Sequence, residues 1–161
     1  MAIMDVRIDD RLIHGQVCGY WIPYYNLERI AIVDDEIVND EARKIALRFG
    51  CPEKCKLSIF DVDSATDKFK RHIDEGSRVM ILCNSPIPLL KMVEKGYEIN
   101  SITVGNMSSK PGAFQIKKTV FISEEEKSAF LKLVSNGVKI ISQMVPNEQR
   151  EDISKVIENL K

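Results

Sequence analysis

The sequence predicts an α/β fold: one mainly parallel, open and twisted β-sheet with helices on both faces. Short, almost wholly apolar segments recur along the chain, as is typical of strands that are buried on both sides. Amphipathic segments with helix start and stop signals lie between them, and this alternation indicates right-handed strand–helix–strand crossovers. No linker rich in proline, glycine or serine interrupts the series. We therefore expect a single domain that covers residues 1–161.

The first half of the chain predicts four strands, each followed by a helix. The strands are residues 3–8, 29–33, 57–62 and 79–83, and the helices are about 15–23, 40–49, 64–75 and 86–96. Asn39 before two acids, and Ser85 before a proline, are typical of helix N-termini. Apolar residues at helical spacing predict the inward faces of the second and third helices. They are Ala42, Ile45, Ala46 and Phe49 in the second helix, and Phe69 and Ile73 in the third.

The second half of the chain is less regular. It contains two strands, one short extended segment and an irregular stretch, which are residues 99–104, 138–143, 119–122 and 105–118 respectively. Ser123 and Glu126 form a capping-box pattern, which predicts a helix whose inward residues are Phe130, Leu131 and Val134. A last helix is expected to follow Asn147 as its N-cap and to bury Ile153, Val156, Ile157 and Leu160.

The charge balance and the hydropathy exclude some functions. There are 23 Lys and Arg residues against 24 Asp and Glu residues, so the chain lacks the basic footprint of a nucleic-acid-binding protein. Its first ten residues, MAIMDVRIDD, contain no long apolar run, and no uncharged apolar run reaches 18 residues, so we expect neither a signal peptide nor a membrane span. We expect a cytosolic protein whose partners are small molecules or other proteins.

The cysteines predict no disulfide framework and no metal site. Cys18, Cys51, Cys55 and Cys83 are too few and too irregularly spaced for the framework of a secreted protein. Cys51 and Cys55 have a spacing that two zinc ligands can have, but no second pair lies nearby and His72 is alone in a charged helix. Structural zinc needs four protein ligands, so we interpret the cysteines as free thiols.

The segment DDRLIHGQ, residues 9–16, is the strongest candidate for a functional site. It follows the first strand, and ligands of parallel sheets bind beyond the carboxyl ends of the strands. His14 precedes Gly15 and a helix start, so a nucleophilic imidazole would lie beside N–H groups that bind anions. Arg11 offers a planar fork of donors to a phosphoryl group. Asp9 or Asp10 would hold one imidazole nitrogen, and the sequence does not distinguish between them.

A plain structural interpretation fits the same residues. A histidine on a turn is commonly only solvated, and Asp-Asp-Arg is commonly a surface ion-pair cluster. Ser108 and Ser109 either donate to a phosphate at the sheet edge or only cap a turn. We interpret Trp21 and Cys18 as packing residues.

Resemblance to a known family favours the functional interpretation. VRIDDRLIHGQV, with Trp21 seven residues after the histidine, closely resembles the start of the IIB components of the mannose/fructose/sorbose family of the bacterial sugar phosphotransferase system. Asp34-Asp35, TVGNMSSKPG at 103–112, KTVFISEEEK at 118–127 and QMVP at 143–146 are similar as well, so the resemblance covers essentially the whole chain. The chain departs from the family at Gly105-Asn106, where two glycines are usual.

The resemblance implies a phosphohistidine–sugar phosphotransferase that acts as a phosphoryl carrier. His14 would accept a phosphoryl group from the phosphohistidine of a IIA protein or domain and pass it to a sugar held by the membrane subunits IIC and IID. Arg11 would help to hold the phosphoryl group, and Asp10 would orient the imidazole. The resemblance implies no cofactor and no metal, and a cytoplasmic protein that associates with the membrane through IIC and IID. Since two partners must reach His14, we expect a shallow surface there and not a deep pocket.

A response-regulator receiver domain is the alternative hypothesis. Receivers carry an acidic pair after the first strand, a phosphoacceptor aspartate after the third, a hydroxyl after the fourth and Lys-Pro after the fifth. The comparable residues here are Asp9-Asp10, Asp61, Ser85 and Lys110-Pro111. A receiver needs neither His14 nor the residues that follow Lys110.

Overall fold

The computed structural model describes residues 3–160 and has the predicted α/β class. Its strands are β1 (Ile3–Asp9), β2 (Arg29–Val33), β3 (Lys56–Phe60), β4 (Val79–Cys83), β5 (Ser101–Asn106), β6 (Phe114–Lys117), β7 (Val120–Ile122), β8 (Lys139–Ser142) and β9 (Glu151–Asp152). Its α-helices are α1 (Ile22–Tyr25), α2 (Glu41–Gly50), α3 (Val62–Lys70), α4 (Ile87–Glu94), α5 (Glu124–Ser135) and α6 (Ser154–Glu158). Residues 1, 2 and 161 of the expected domain lie outside the described residues.

Seven strands form one sheet in the order β3-β2-β4-β1-β5-β8-β9. All pairs in this sheet are parallel except β8 with β9. β1 lies in the middle, between β4 and β5, so the turns that follow these three strands meet at one edge of the sheet. β6 and β7 form a separate antiparallel pair.

The two faces of the sheet have separate cores because side chains alternate along each strand. Val6 and Ile8 of β1 face the larger core, which α3, α4, α5 and α6 cover. Ile30 and Ile32 of β2 face the smaller core, which includes Trp21 from the helical residues 15–25. On β1 this second face carries the charged residues Asp5, Arg7 and Asp9 in place of apolar ones.

The inward face predicted for α2 is wrong. Ile45 is 65% exposed and Phe49 is 93% exposed, and Ala42 and Ala46 are exposed as well. Leu47 is the residue of α2 that reaches the core. The segment is helical as predicted, but an apolar stripe does not specify whether the sheet or the solvent lies against it.

Three other boundaries differ from the prediction. α3 ends at Lys70 instead of residue 75, so Ile73 lies in a turn and is half exposed. The stretch expected to be irregular contains β6. The last helix begins at Ser154 and not after Asn147, because residues 151–152 pair with β8, and Val156 is exposed and not buried. The capping box of Ser123 and Glu126 is confirmed.

Within residues 3–160, no helix has both the length and the apolar character that crossing a membrane requires.

Candidate functional site

The turn after β1 is built on Asp9. Its carboxylate accepts the backbone N–H of Arg11 at 3.1 Å, and its carbonyl accepts the N–H of Leu12 at 3.0 Å. Leu12 has φ +58°, a left-handed conformation that is rare for a branched apolar residue, and its side chain is fully buried. Burial of Leu12 therefore fixes a strained turn that directs His14 back over the end of β1.

The imidazole of His14 is held by hydrogen bonds at both nitrogens. Nε2 lies 2.8 Å from Oδ2 of Asp9, and the backbone N–H of Gln16 donates to Nδ1 over 3.3 Å. Since a carboxylate only accepts, Nε2 carries the proton and Nδ1 has the lone pair. The Asp9 side chain is 1% exposed and that of His14 is 11% exposed. The longer contact at Nδ1 is the weaker of the two.

The expectation that Asp10 orients the imidazole is corrected by this geometry, because Asp9 makes that contact. Asp10 points towards β5 instead. It accepts Nδ2 of Asn106 at 2.7 Å and the backbone N–H of Ser108 at 2.5 Å, and its own N–H donates to the carbonyl of Asn106. Asp10 thus fixes the turn after β1 to the turn after β5.

Arg11, Gly15 and Gln16 complete the surface around His14. Arg11 is exposed, and its Nη2 donates to Oε1 of Gln16 at 3.0 Å. Open space lies over Gly15, where a side chain would meet no atom within 4 Å. The helical residues 15–25 begin here and include a π-helix, Val17–Trp21, a form often found at functional sites.

The structure also places the other candidate residues relative to this turn. Trp21 is fully buried, which confirms its packing role, and Cys18 is half-buried with its thiol 3.7 Å from the carbonyl of Gly50. Ser108 and Ser109 are exposed next to Asp10, within the β5 turn. Burial raises the pKa of the Cys18 thiol, so it remains protonated at neutral pH.

The strand order excludes the receiver alternative. In a doubly wound sheet of order 2-1-3-4-5, the turns after the first and third strands are adjacent. Here β2 and β4 separate β1 from β3, which puts Asp9 and Asp61 about 14 Å apart or more across the sheet. The Asp61 carboxylate instead caps α3 by accepting the N–H of Ser64 at 2.7 Å. Lys110 pairs with Glu126, so it is not directed at either acid.

Two residues of the site escaped the sequence analysis, Gln16 and Asn106. Gln16 lies inside the quoted motif, but its contacts with His14 and Arg11 depend on the strained turn at Leu12. Asn106 stands where glycine is usual in the family, and its amide makes a contact with Asp10 that glycine cannot make. That departure was the available signal.

Comparison with known proteins decides the family. Residues 3–161 match the family model described as the sorbose subfamily IIB component of the phosphotransferase system. The chain belongs to this family.

Relatives of this IIB component support the assignment along its whole length. The fructose-specific EIIB component of Bacillus subtilis is 33% identical over 99% of this chain and 98% of its own. The mannose-specific EIIAB component of Escherichia coli is 32% identical over 99% of this chain and 50% of its own length. The crystal structure of the IIBSor domain of the sorbose permease from Klebsiella pneumoniae superposes with a TM-score of 0.89, at 32% identity, over 100% of this chain and 99% of that one. Phosphoryl transfer in sugar uptake is general to the family.

Proposed function

We propose that this IIB component carries a phosphoryl group on Nδ1 of His14, between a IIA phosphohistidine and a sugar held by the membrane subunits IIC and IID. The contact between Nε2 of His14 and Asp9 carries this proposal, since it leaves the lone pair on the other nitrogen. In the step proposed, the N–P bond of the donor breaks as the bond from phosphorus to Nδ1 forms. The Nε2 proton stays on the ring, where Asp9 stabilises the positive charge that develops.

Three groups around Nδ1 suit the incoming phosphoryl oxygens. The Arg11 guanidinium is anchored through Gln16 on the exposed side of the turn, which reduces the number of conformations it samples. The first N–H groups of the helix that begins at residue 15 favour an anion. Gly15 leaves room for the group to approach the backbone. The weak contact from Gln16 N–H to Nδ1 must be given up when the N–P bond forms.

The proposed partners follow from the family and from one relative. The Escherichia coli EIIAB component contains this chain's counterpart in half of its length and is named as a combined A and B component. A phosphorylated IIA protein or domain is therefore the donor we propose for this chain. The acceptor we propose is a sugar bound by IIC and IID, with this component in the cytoplasm at the membrane surface. The partial exposure of His14 at the sheet edge suits two partners that bind in turn.

Reconstituted phosphorylation tests the proposal. The protein is incubated with phosphoenolpyruvate, the general phosphotransferase proteins and a matching IIA protein, and the label on the protein is measured. We expect an acid-labile, base-stable phosphate that is lost in His14→Ala and kept in His72→Ala, the matched control at the other histidine. Label that survives His14→Ala would refute the proposal.

Replacement of Arg11 tests the proposed clamp. Lysine keeps the charge but loses the planar fork that holds both Gln16 and a phosphoryl oxygen, so Arg11→Lys should slow transfer to His14 by about tenfold without loss of the fold. Rapid-quench measurement of the first turnover gives the rate. A wild-type rate in this variant would remove Arg11 from the mechanism.

A further inference from the structure

Arg7 is a buried cation for which the fold provides few partners. It lies in the central strand β1, and its side chain is 1% exposed. Nη2 donates to the carbonyl of Met144 at 2.9 Å, whereas Nε and Nη1 have no hydrogen-bond partner among residues 3–160. Burying a charged group is costly, and replacing a whole buried ion pair with apolar residues often leaves stability unchanged or higher. A buried arginine of this kind therefore calls for a role beyond packing.

The fold makes room for this side chain at specific positions. Gly105 of β5 lies beneath the guanidinium, and a Cβ there would come within 2.2 Å of Nη2. The Trp21 ring stacks on the Arg7 guanidinium, whose central carbon lies 4.3 Å from the ring centroid. The indole N–H of Trp21 donates to the same carbonyl of Met144 as Arg7 does, at 3.0 Å. Arg7 is thus fixed under the helix that follows His14.

Several charged or titratable groups surround Arg7, and one of them contacts His14. Asp5 and Asp9 flank it on the same face of β1, at roughly 7 Å along the strand in each direction. The Asp5 carboxylate is 3.9 Å from Nη1. Tyr25 faces Arg7 from α1, and Glu148 faces it from the loop after β8. Of these groups, only Asp9 contacts His14.

We propose that Arg7 is a positioning residue for transfer to His14: its buried charge lies on the face of β1 that carries Asp9, and its guanidinium fixes Trp21 and the helix that follows the imidazole. The inference rests on the proposed function. The partners of the Arg7 guanidinium are Met144, Asp5 and the Trp21 ring, and the contact to His14 is made by Asp9. The effect of Arg7 passes through charge on one side and through packing on the other.

The charge distribution supports this role. Burial lowers the pKa of Arg7, and the charges of Asp5 and Asp9 oppose that shift, so the guanidinium stays protonated at every pH at which the protein works. Burial raises the pKa of Asp5, with Arg7 and Arg150 opposing this effect. When it is ionised, Asp5 offsets part of this one buried cation, so its removal leaves more of the Arg7 charge uncompensated near the site.

The test compares pH profiles of phosphorylation in full-length variants. In Arg7→Met we expect the rate of His14 phosphorylation at pH 7 to fall at least about tenfold. The acid-side midpoint of its pH profile should move upward by about one unit, because a buried cation disfavours protonation of the site and this variant lacks it. Nitrogen-15 spectra of the His14 ring should show loss of the single Nε2–H tautomer. Arg29→Met, in β2 and away from the site, is the matched control. It should leave the rate, the midpoint and the tautomer of His14 unchanged.

Two further variants separate charge from packing. Arg7→Lys keeps the charge but not the bond to Met144, so we expect its midpoint to return to the wild-type value even if its rate stays low. Asp5→Asn removes the carboxylate that offsets the Arg7 charge. The midpoint of its pH profile should therefore move below that of the wild type, in the opposite direction to Arg7→Met. If Arg7→Met does not fold, these two variants still test the role of Arg7 in transfer to His14.

Failure of the inference is distinguishable from failure of the proposed function. Wild-type protein that takes no label on His14 would refute the proposed function itself. Wild-type labelling, combined with one common midpoint in the wild type, Arg7→Lys and Asp5→Asn, would refute the role of Arg7 alone. A midpoint that moves upward in Asp5→Asn would do the same.

Discussion

The two adjacent acids at the end of β1 have different tasks because successive side chains of a strand point in opposite directions. Asp9 lies on the face of Arg7 and Trp21, where it meets the imidazole of His14. Asp10 leaves the sheet at its edge and binds Asn106 and Ser108 of the neighbouring turn. Sequence position alone could not distinguish them, because the choice depends on where the strand ends and the turn begins.

The variants Asp9→Asn and Asp10→Asn should distinguish the role of Asp9 at His14 from the role of Asp10 between the two turns. Asp9→Asn no longer supplies a carboxylate that selects the Nε2–H tautomer, so we expect transfer to His14 to fall by about 100-fold or more with the fold intact. Asp10→Asn should cost about 1 kcal/mol of unfolding free energy through the weakened contact between turns and should slow transfer much less. First-turnover rates and urea unfolding measure the two effects. The reverse order of rates would restore Asp10 as the orienting residue.

The four thiols should differ in reactivity, since burial and hydrogen bonding differ among them. Burial raises the pKa of Cys83 and contact with Cys51 raises that of Cys55, so both stay protonated and shielded. The neighbouring Cys55 side chain lowers the pKa of the half-buried Cys51 thiol, which therefore carries more of the reactive thiolate near pH 8. In native protein we expect iodoacetamide to modify Cys51 first, as followed by peptide mass spectrometry. Equal modification of Cys83 without denaturant would contradict this packing.

At the scale of elements, α2 shows the limit of periodicity as evidence. Its capping was predictable in kind, although Asp40, not Asn39, provides the side chain that accepts the N–H of Arg43. Its orientation was not predictable, because the apolar stripe that contains Phe49 faces away from the sheet and only Leu47 is buried. Strand segments were easier to place, since a run such as Val79–Cys83 that is buried on both sides has no outward face to assign.

Unfolding free energies of two α2 variants test this orientation. Leu47→Ala removes a buried side chain and should lower the unfolding free energy by about 2 kcal/mol. Phe49→Ser removes a larger side chain that lies in solvent and should change it by less than about 0.5 kcal/mol. Urea titrations measure both. A larger loss in Phe49→Ser than in Leu47→Ala would show that α2 packs through the predicted stripe.

At the scale of the whole molecule, the order of the strands determines which turns form the site. The alternation of strands and helices predicted that the turns after β1 and β5 lie at the same edge, and His14 and Arg11 were identified within that edge. It could not predict that β1 lies between β4 and β5, because pairing between distant segments leaves no local pattern. That arrangement brings Asn106 to Asp10 and Gly105 beneath Arg7. The contacts between strands were therefore the part of the site that the sequence did not reveal.

The central claim is that the phosphoryl group resides on Nδ1 of His14 while Nε2 remains bonded to Asp9. Long-range proton–nitrogen correlation of the phosphorylated, nitrogen-15-labelled protein, with phosphorus decoupling, identifies the modified nitrogen directly. We predict phosphorus coupling to Nδ1 of His14 and a proton retained on Nε2. Phosphate on Nε2, on His72 or on no histidine would contradict the account.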